Sequence, residues 1–224
     1  MTEQLQQLKP FNMVCTSTDC EQGLHCFRQK QRRRKDLFTM QGEWMSYLEI
    51  VNGSSGNDEI SGRCRACGIA LIDWPRVHQR DLQDVLYTFG ALKQELIRHY
   101  YWHLVIDERA KNHALRKGSL AMDLYIEKRI RTSVGAEQPY RDGRQTPMHQ
   151  SGNIVYYAQH ATASCCRTCI EEWHHIPRGQ ALTEAEIRYL TELAMLYVKE
   201  RLPELEPQGK KIPPIRHRQR KNLQ

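Results

Sequence analysis

The chain predicts a helix-rich α+β protein, in which an N-terminal zinc-ribbon-like module joins a C-terminal helical domain stapled by a His/Cys metal site. Three observations lead there. Cysteines cluster at metal-ligand spacings near both ends, apolar residues recur at three- and four-residue steps over long stretches, and one short apolar run, IVYYA, has β-strand composition. With 224 residues, 40% of them hydrophobic, the chain can bury one core or two small ones, which excludes a disordered protein. The opening MTEQLQQLKPF is polar, and no apolar run approaches the ~18 residues a membrane span needs. A cytoplasmic address with no membrane contact is therefore expected, and there the eight cysteines should be thiols or metal ligands, not disulfides. The net charge of +7 favours an anionic partner, with nucleic acid first, DNA before RNA.

The first module is placed at 13–79. Cys15, Cys20 and Cys26 sit in a Thr/Ser/Gly context suited to turns, and GRCRACG supplies Cys64 and Cys67 with a closing glycine. Two cysteine pairs around a strand-forming insert describe a zinc ribbon, with Cys20, Cys26, Cys64 and Cys67 as ligands and Cys15 as the substitute for Cys20. Between the pairs lies RQKQRRRKD, whose Arg32, Arg33, Arg34 and Lys35 are candidates for phosphate contact. Phe38, Trp44, Tyr47 and Ile50 follow in a stretch that reads as a hairpin, although a solvated basic loop has the same composition.

The helical domain is placed at 80–206. Its longest helix signal begins near Arg80, with Leu82, Val85, Leu86, Phe89, Leu92, Leu96, Ile97, Tyr100 and Leu104 on one face. Glu95, His99, His103 and Asp107 stand four apart on another. Such a stripe either holds a second metal or sets a base beside a carboxylate, and as a plain solvated face it needs neither. The next helix, broken at Gly118, carries His113 and the cations Lys111, Arg116, Lys117, Arg129 and Arg131. Cations along a helix with an apolar opposite face suit docking on a duplex. The turn-rich PYRDGRQTPMHQSGN offers Arg141 and Arg144 for phosphate, and Asp142 for phosphate, base or a catalytic metal.

IVYYA then reads as a buried strand delivering His160 to the densest metal signal, QHATASCCRTCIEEWHHIPRG. His160, Cys165 or Cys166, Cys169, and His174 or His175 make a tetrahedral zinc set. If the helix starts near Ser164, Cys165 and Cys169 share a face while Cys166 points about 100° away. A spare cysteine beside Arg167 would then be a low-pKa thiolate. The last helix has a capping box from Thr183 to Glu186, a staple from Leu182 to Ile187, and a stop at Pro203. From 207 to 224 the chain is basic, proline-bearing and free of acid, which reads as a disordered tail with non-specific affinity for nucleic acid.

DGRQTPM, YYAQHATASCCRTCIEEWHHIPRG and LTEAEIRYLTEL together resemble the signature of a family of small bacterial and phage-borne proteins catalogued as a domain of unknown function. The resemblance spans about Arg141 to Leu202. Upstream, TSTDCEQGLHCF, CRACG, DWPRVHQRDL and NHALRKG resemble longer members with an added Cys-rich front. The resemblance implies kinship and no particular activity.

The function expected from these residues is a nucleic-acid-binding protein with one or two zinc ions, in DNA transactions or defence against mobile DNA. The alternative from another class is a metal-dependent hydrolase, a nuclease, with candidates among His99, His103, Asp107 and His113, or Asp142 with His160. A third is a protein-interaction adaptor with structural zinc, meeting a protein partner or a second copy of itself.

Overall fold

The computed structural model describes residues 62, 64, 69–147 and 152–213, and these form seven α-helices with no strand among them. They are α1 (Trp74–His78), α2 (Val85–Leu92), α3 (Leu96–His103), α4 (Glu108–Ser133), α5 (Ile154–Ala161), α6 (Arg167–His174) and α7 (Glu184–Arg201). The architecture is helix packed on helix, so the β component of the expected α+β class is not found among the described residues. The hairpin and the ligands Cys20, Cys26 and Cys67 lie outside them; Cys64 is buried. No helix among the described residues is long and apolar enough to cross a membrane.

α7 is the axis of the bundle, packing on α4, α5 and α2. Thr183 accepts from the Glu186 amide while the Glu186 carboxylate accepts from the Thr183 amide, the reciprocal cap its sequence encodes. Ile187, Leu190, Leu193, Tyr197 and Val198 are buried along it, each large side chain contributing about 1.5–3 kcal/mol of transfer free energy. At its far end Arg201 donates to the carbonyls of Trp102 and Leu104, neutralising the negative end of α3.

The helix expected from Arg80 is in fact two. Residues 93–95 separate α2 from α3, and Arg80, at φ 54°, lies before both. The interruption changes which side chains are inside: Val85, Phe89 and Leu92 are buried, whereas Leu82 and Leu86 are exposed. IVYYA is a helix as well. Asn153 caps it by accepting from the Val155 amide, and Ile154, Val155, Tyr157, Ala158 and Ala161 are all buried. Seven of its eight residues are buried, Gln159 and His160 among them, so enclosure against α3, α4 and α7 overrides the β preference of IVYYA.

α4 is capped by Asp107, which accepts from the Ala110 amide, and kinks at Gly118, where φ is 72° and ψ 167°. Residues 207–213, the start of the expected disordered tail, are laid with Glu206 into that kink. The Ser119 and Leu120 amides donate to the carbonyls of Glu206 and Pro207, and the Lys210 amide donates to the Leu115 carbonyl. The helix interruption thus exposes two amides that the C-terminal strap satisfies.

Gly118→Ala should lose at least about 2 kcal/mol of stability in urea unfolding, because φ is positive and a Cβ would collide with the Gln208 carbonyl carbon. Gly90→Ala, mid-helix with nothing within 4 Å of the added carbon, should gain roughly 0.5–1 kcal/mol. Equal responses at the two positions would contradict this account of the kink.

Candidate metal centre

Cys166 determines the geometry of the site. It is the N-cap of α6, extended at φ −157° and ψ 165°, and its Sγ accepts from the Cys169 amide at 3.4 Å. A start near Ser164 would have turned Cys166 away from its neighbours; the helix begins at Arg167 instead, two residues past Cys165. Cys165, Cys166 and Cys169 therefore converge, their Sγ atoms all within 4.8 Å of one another and those of Cys165 and Cys169 3.6 Å apart. Among the described residues this trio is where three potential metal ligands meet.

Arg98, buried on α3, lies against the sulfurs. Its Nη2 donates to Cys169 Sγ at 3.3 Å, its Nη1 to the His160 carbonyl at 2.8 Å, and its Nε to Glu95 Oε2 at 3.0 Å. Trp173 Nε1 donates to the same carboxylate oxygen at 2.5 Å. A guanidinium has the fixed fork of donors to serve three acceptors at once, and no sequence pattern marked it for this site. Burial works against its charge, but Glu95 and the neighbouring Cys169 and Cys165 sulfurs outweigh that and hold it charged.

The three thiols are unequal. Hydrogen bonds from Cys165 and Cys166, then the charge of Arg98, bring Cys169 well below the usual thiol range despite burial. Cys165 goes well above it, through its bonds to Cys166 and Cys169 and through burial. In Cys166 the bond to Cys165 lowers the pKa, but the bond to Cys169 and burial outweigh it and carry it to about 11. Sulfur-only, the trio is thus one thiolate shared by two thiols.

The expected imidazole ligands are occupied elsewhere. His160 Nε2 donates to the Thr146 carbonyl at 3.1 Å and its ring stacks on Tyr101, centroids 4.5 Å apart; neither ring nitrogen joins the sulfurs within their span. His174 Nε2 donates to the Thr162 carbonyl at 3.0 Å, leaving Nδ1 to accept from the Tyr189 hydroxyl at 3.3 Å. His175, left-handed at φ 53°, ends α6 and is exposed.

Residues 139–147 lie over the trio. Both Asp142 carboxylate oxygens accept from the Arg167 amide, at 3.1 and 3.2 Å, so this carboxylate serves as a helix cap. Thr146 donates to the Cys165 carbonyl, and a Cβ on Gly143 would stand 3.8 Å from that of Cys166.

The remaining candidates form no further group of three ligands among the described residues. Glu95 faces Arg98 and Trp173, and Asp107 caps α4 while accepting from the Tyr157 hydroxyl at 2.8 Å. His103 stacks on His99 with centroids 3.8 Å apart, and half-buried His113 sits edge-on to Tyr125. Most cations of α4 have intramolecular partners: Lys111 with Glu108, Arg116 with the carbonyls of Ile212 and Pro213, Lys117 over Tyr125, Arg129 with the Gln145 carbonyl, and Arg131 between Glu127 and Glu184. Arg141 and Arg144 are exposed; Arg32, Arg33, Arg34 and Lys35 lie outside the described residues.

A family model described as "Domain of unknown function (DUF4186)" matches residues 87–199, half of the chain, and the chain belongs to that family. The matched span contains the three cysteines together with Arg98 and Glu95. No solved structure matches.

Burial pushes the imidazoles of both His160 and His174 down to about 4, against ~6.5 in an unfolded chain. Their contribution to stability is complete above pH ~6.5 and is lost as the pH falls toward 4, by up to about 1.4 kcal/mol per pH unit for each ring. His174→Gln should flatten urea-derived stability against pH within that window. A slope equal to that of the wild type would mean His174 is not held neutral by the fold.

Proposed function

We propose that this DUF4186-family member is a zinc-containing nucleic-acid-binding protein in which a Cys165–Cys166–Cys169 trithiolate holds the polyanion-facing loop in place. The observation that carries this reading is the 3.6 Å separation of two sulfurs in a trio that closes within 4.8 Å. Zinc–sulfur bonds of about 2.3 Å at tetrahedral angles put neighbouring sulfurs ~3.8 Å apart, far from the ~2.05 Å of a disulfide. Zinc suits the donors, since thiolates are soft and the ion has no redox chemistry of its own. Three thiolates around a divalent ion leave one negative charge beside the Arg98 guanidinium, which also serves Glu95, and an N–H donor on a ligand sulfur is the usual outer support of such a site. The fourth donor would come from solvent or from a residue outside the described set.

The loop above the trio links metal to partner. Asp142 ties it to the first turn of α6, and that anchorage leaves Arg141 and Arg144 at the surface. A polyanion accounts for the net charge of +7. Free thiols suit a reducing cytoplasm, and a second zinc on Cys20, Cys26, Cys64 and Cys67 would complete the ion count. The hydrolase alternative has less support, because Asp107 and Asp142 cap helices and His160 faces a carbonyl.

Elemental analysis of protein purified under reducing, chelator-free conditions should find zinc, and Cys169→Ser should lose about one equivalent with ~3 kcal/mol or more of stability. Cys67→Ser reports separately on the N-terminal set. Wild-type protein that contains no metal yet melts cooperatively would sink the trithiolate centre.

A further inference from the structure

The loop over the trio displays more than charge. Tyr140 is 79% exposed, the second most exposed of the large hydrophobic side chains among the described residues, and the exposed Arg141 and Arg144 follow it on the same loop. The backbone that carries it is held at several points. The Gln145 side-chain amide donates to the carbonyls of Tyr140 and Ser133, and Arg129 holds the Gln145 carbonyl. The Arg144 amide donates to the Arg141 carbonyl at 2.9 Å, Arg141 and Gly143 are left-handed at φ 52° and 73°, and Asp142 is bonded to α6. A ring left in water on a braced loop is a platform whose ordering cost has already been met by folding.

The geometry points to a single-stranded nucleic-acid site at Tyr140, in which the ring stacks on an unpaired base and Arg141 and Arg144 contact the flanking phosphates. The inference rests on the nucleic-acid reading above and narrows it. A duplex surface would need a longer row of available cations, and on α4, where the sequence suggested one, Lys111, Arg116, Lys117, Arg129 and Arg131 are already engaged. One exposed ring on a loop with two exposed arginines instead matches the reach of a nucleotide or two, and a base can lie flat on the ring only when it is unpaired. Stacking on a tyrosine face tolerates any base, so the site would be weakly sequence-selective.

Fluorescence anisotropy at low salt, with the full chain and labelled oligothymidylate, oligouridylate and a duplex of equal length, tests the site. Single strands should bind more tightly than the duplex, and the ratio of the two single strands identifies DNA or RNA as the preferred form. Tyr140→Ala should weaken single-strand binding about fivefold to a hundredfold and leave the duplex unchanged, while Tyr140→Trp restores it. The double variant Arg141→Ala/Arg144→Ala should lower the log–log salt slope by about 1.4, two contacts at ~0.7 each. Melting temperatures equal to wild type confirm that these surface variants fold. If the duplex binds as well as the single strands and Tyr140→Ala alters neither, the site is overturned while nucleic-acid binding stands. If the wild type binds none of the three probes, both are overturned.

Discussion

The folded domain depends on one buried cation. Arg98 joins three elements through a single planar group, reaching Glu95 at the start of α3, the His160 carbonyl in α5 and the Cys169 sulfur in α6. An isolated guanidinium in that position would cost several kcal/mol of lost hydration, so it is stable there only because each edge meets an acceptor. Glu95 is bound in turn by the Trp173 indole, which packs on Trp74 of α1 with centroids 5.2 Å apart. Through this chain of contacts α1 is drawn onto the bundle, and Ile72, just ahead of it, belongs to the same core cluster.

The same cation makes a cluster of three sulfurs tolerable. Thiolates placed side by side repel and lose water together, and the trio relieves this by concentrating negative charge on Cys169, where Arg98 lies. A bound divalent ion would extend that balance to all three sulfurs. Cys166 is both a member of the sulfur trio and the helix cap, so its orientation is set by the first turn of α6. Asp142 uses a free amide of that turn, at Arg167, and thereby couples the loop bearing Tyr140 to the helix start that carries the cysteine trio.

Local signals were readable where the deciding contacts are local. The Thr183 capping box needs only residues three apart, the break at Gly118 only a missing Cβ, and Pro203 only a missing amide hydrogen; each stands where the sequence placed it. CCRTC marked a sulfur cluster because its residues are near neighbours in the chain. IVYYA failed for the opposite reason. Its residues have β composition, and only enclosure on every side makes the helix preferable. His160 and His174 looked like ligands because imidazole is a ligand type, yet carbonyls from residues 146 and 162 take their Nε2 protons.

From the sequence alone it was determined that the chain is helix-rich, that it has kin in a family catalogued as a domain of unknown function, that Cys165, Cys166 and Cys169 stand at metal-ligand spacing, and that the net charge is positive, since all four are properties of residue identity and short spacing. Tertiary structure alone decided that Arg98, some seventy residues before Cys169, lies on its sulfur, that Asp142 is a cap, and that the cations of α4 are engaged while Tyr140, Arg141 and Arg144 remain exposed. The physical reason is that hydrogen bonding and desolvation depend on distance in space, and a guanidinium has no preference among carboxylate, carbonyl and sulfur until folding brings one of them within reach.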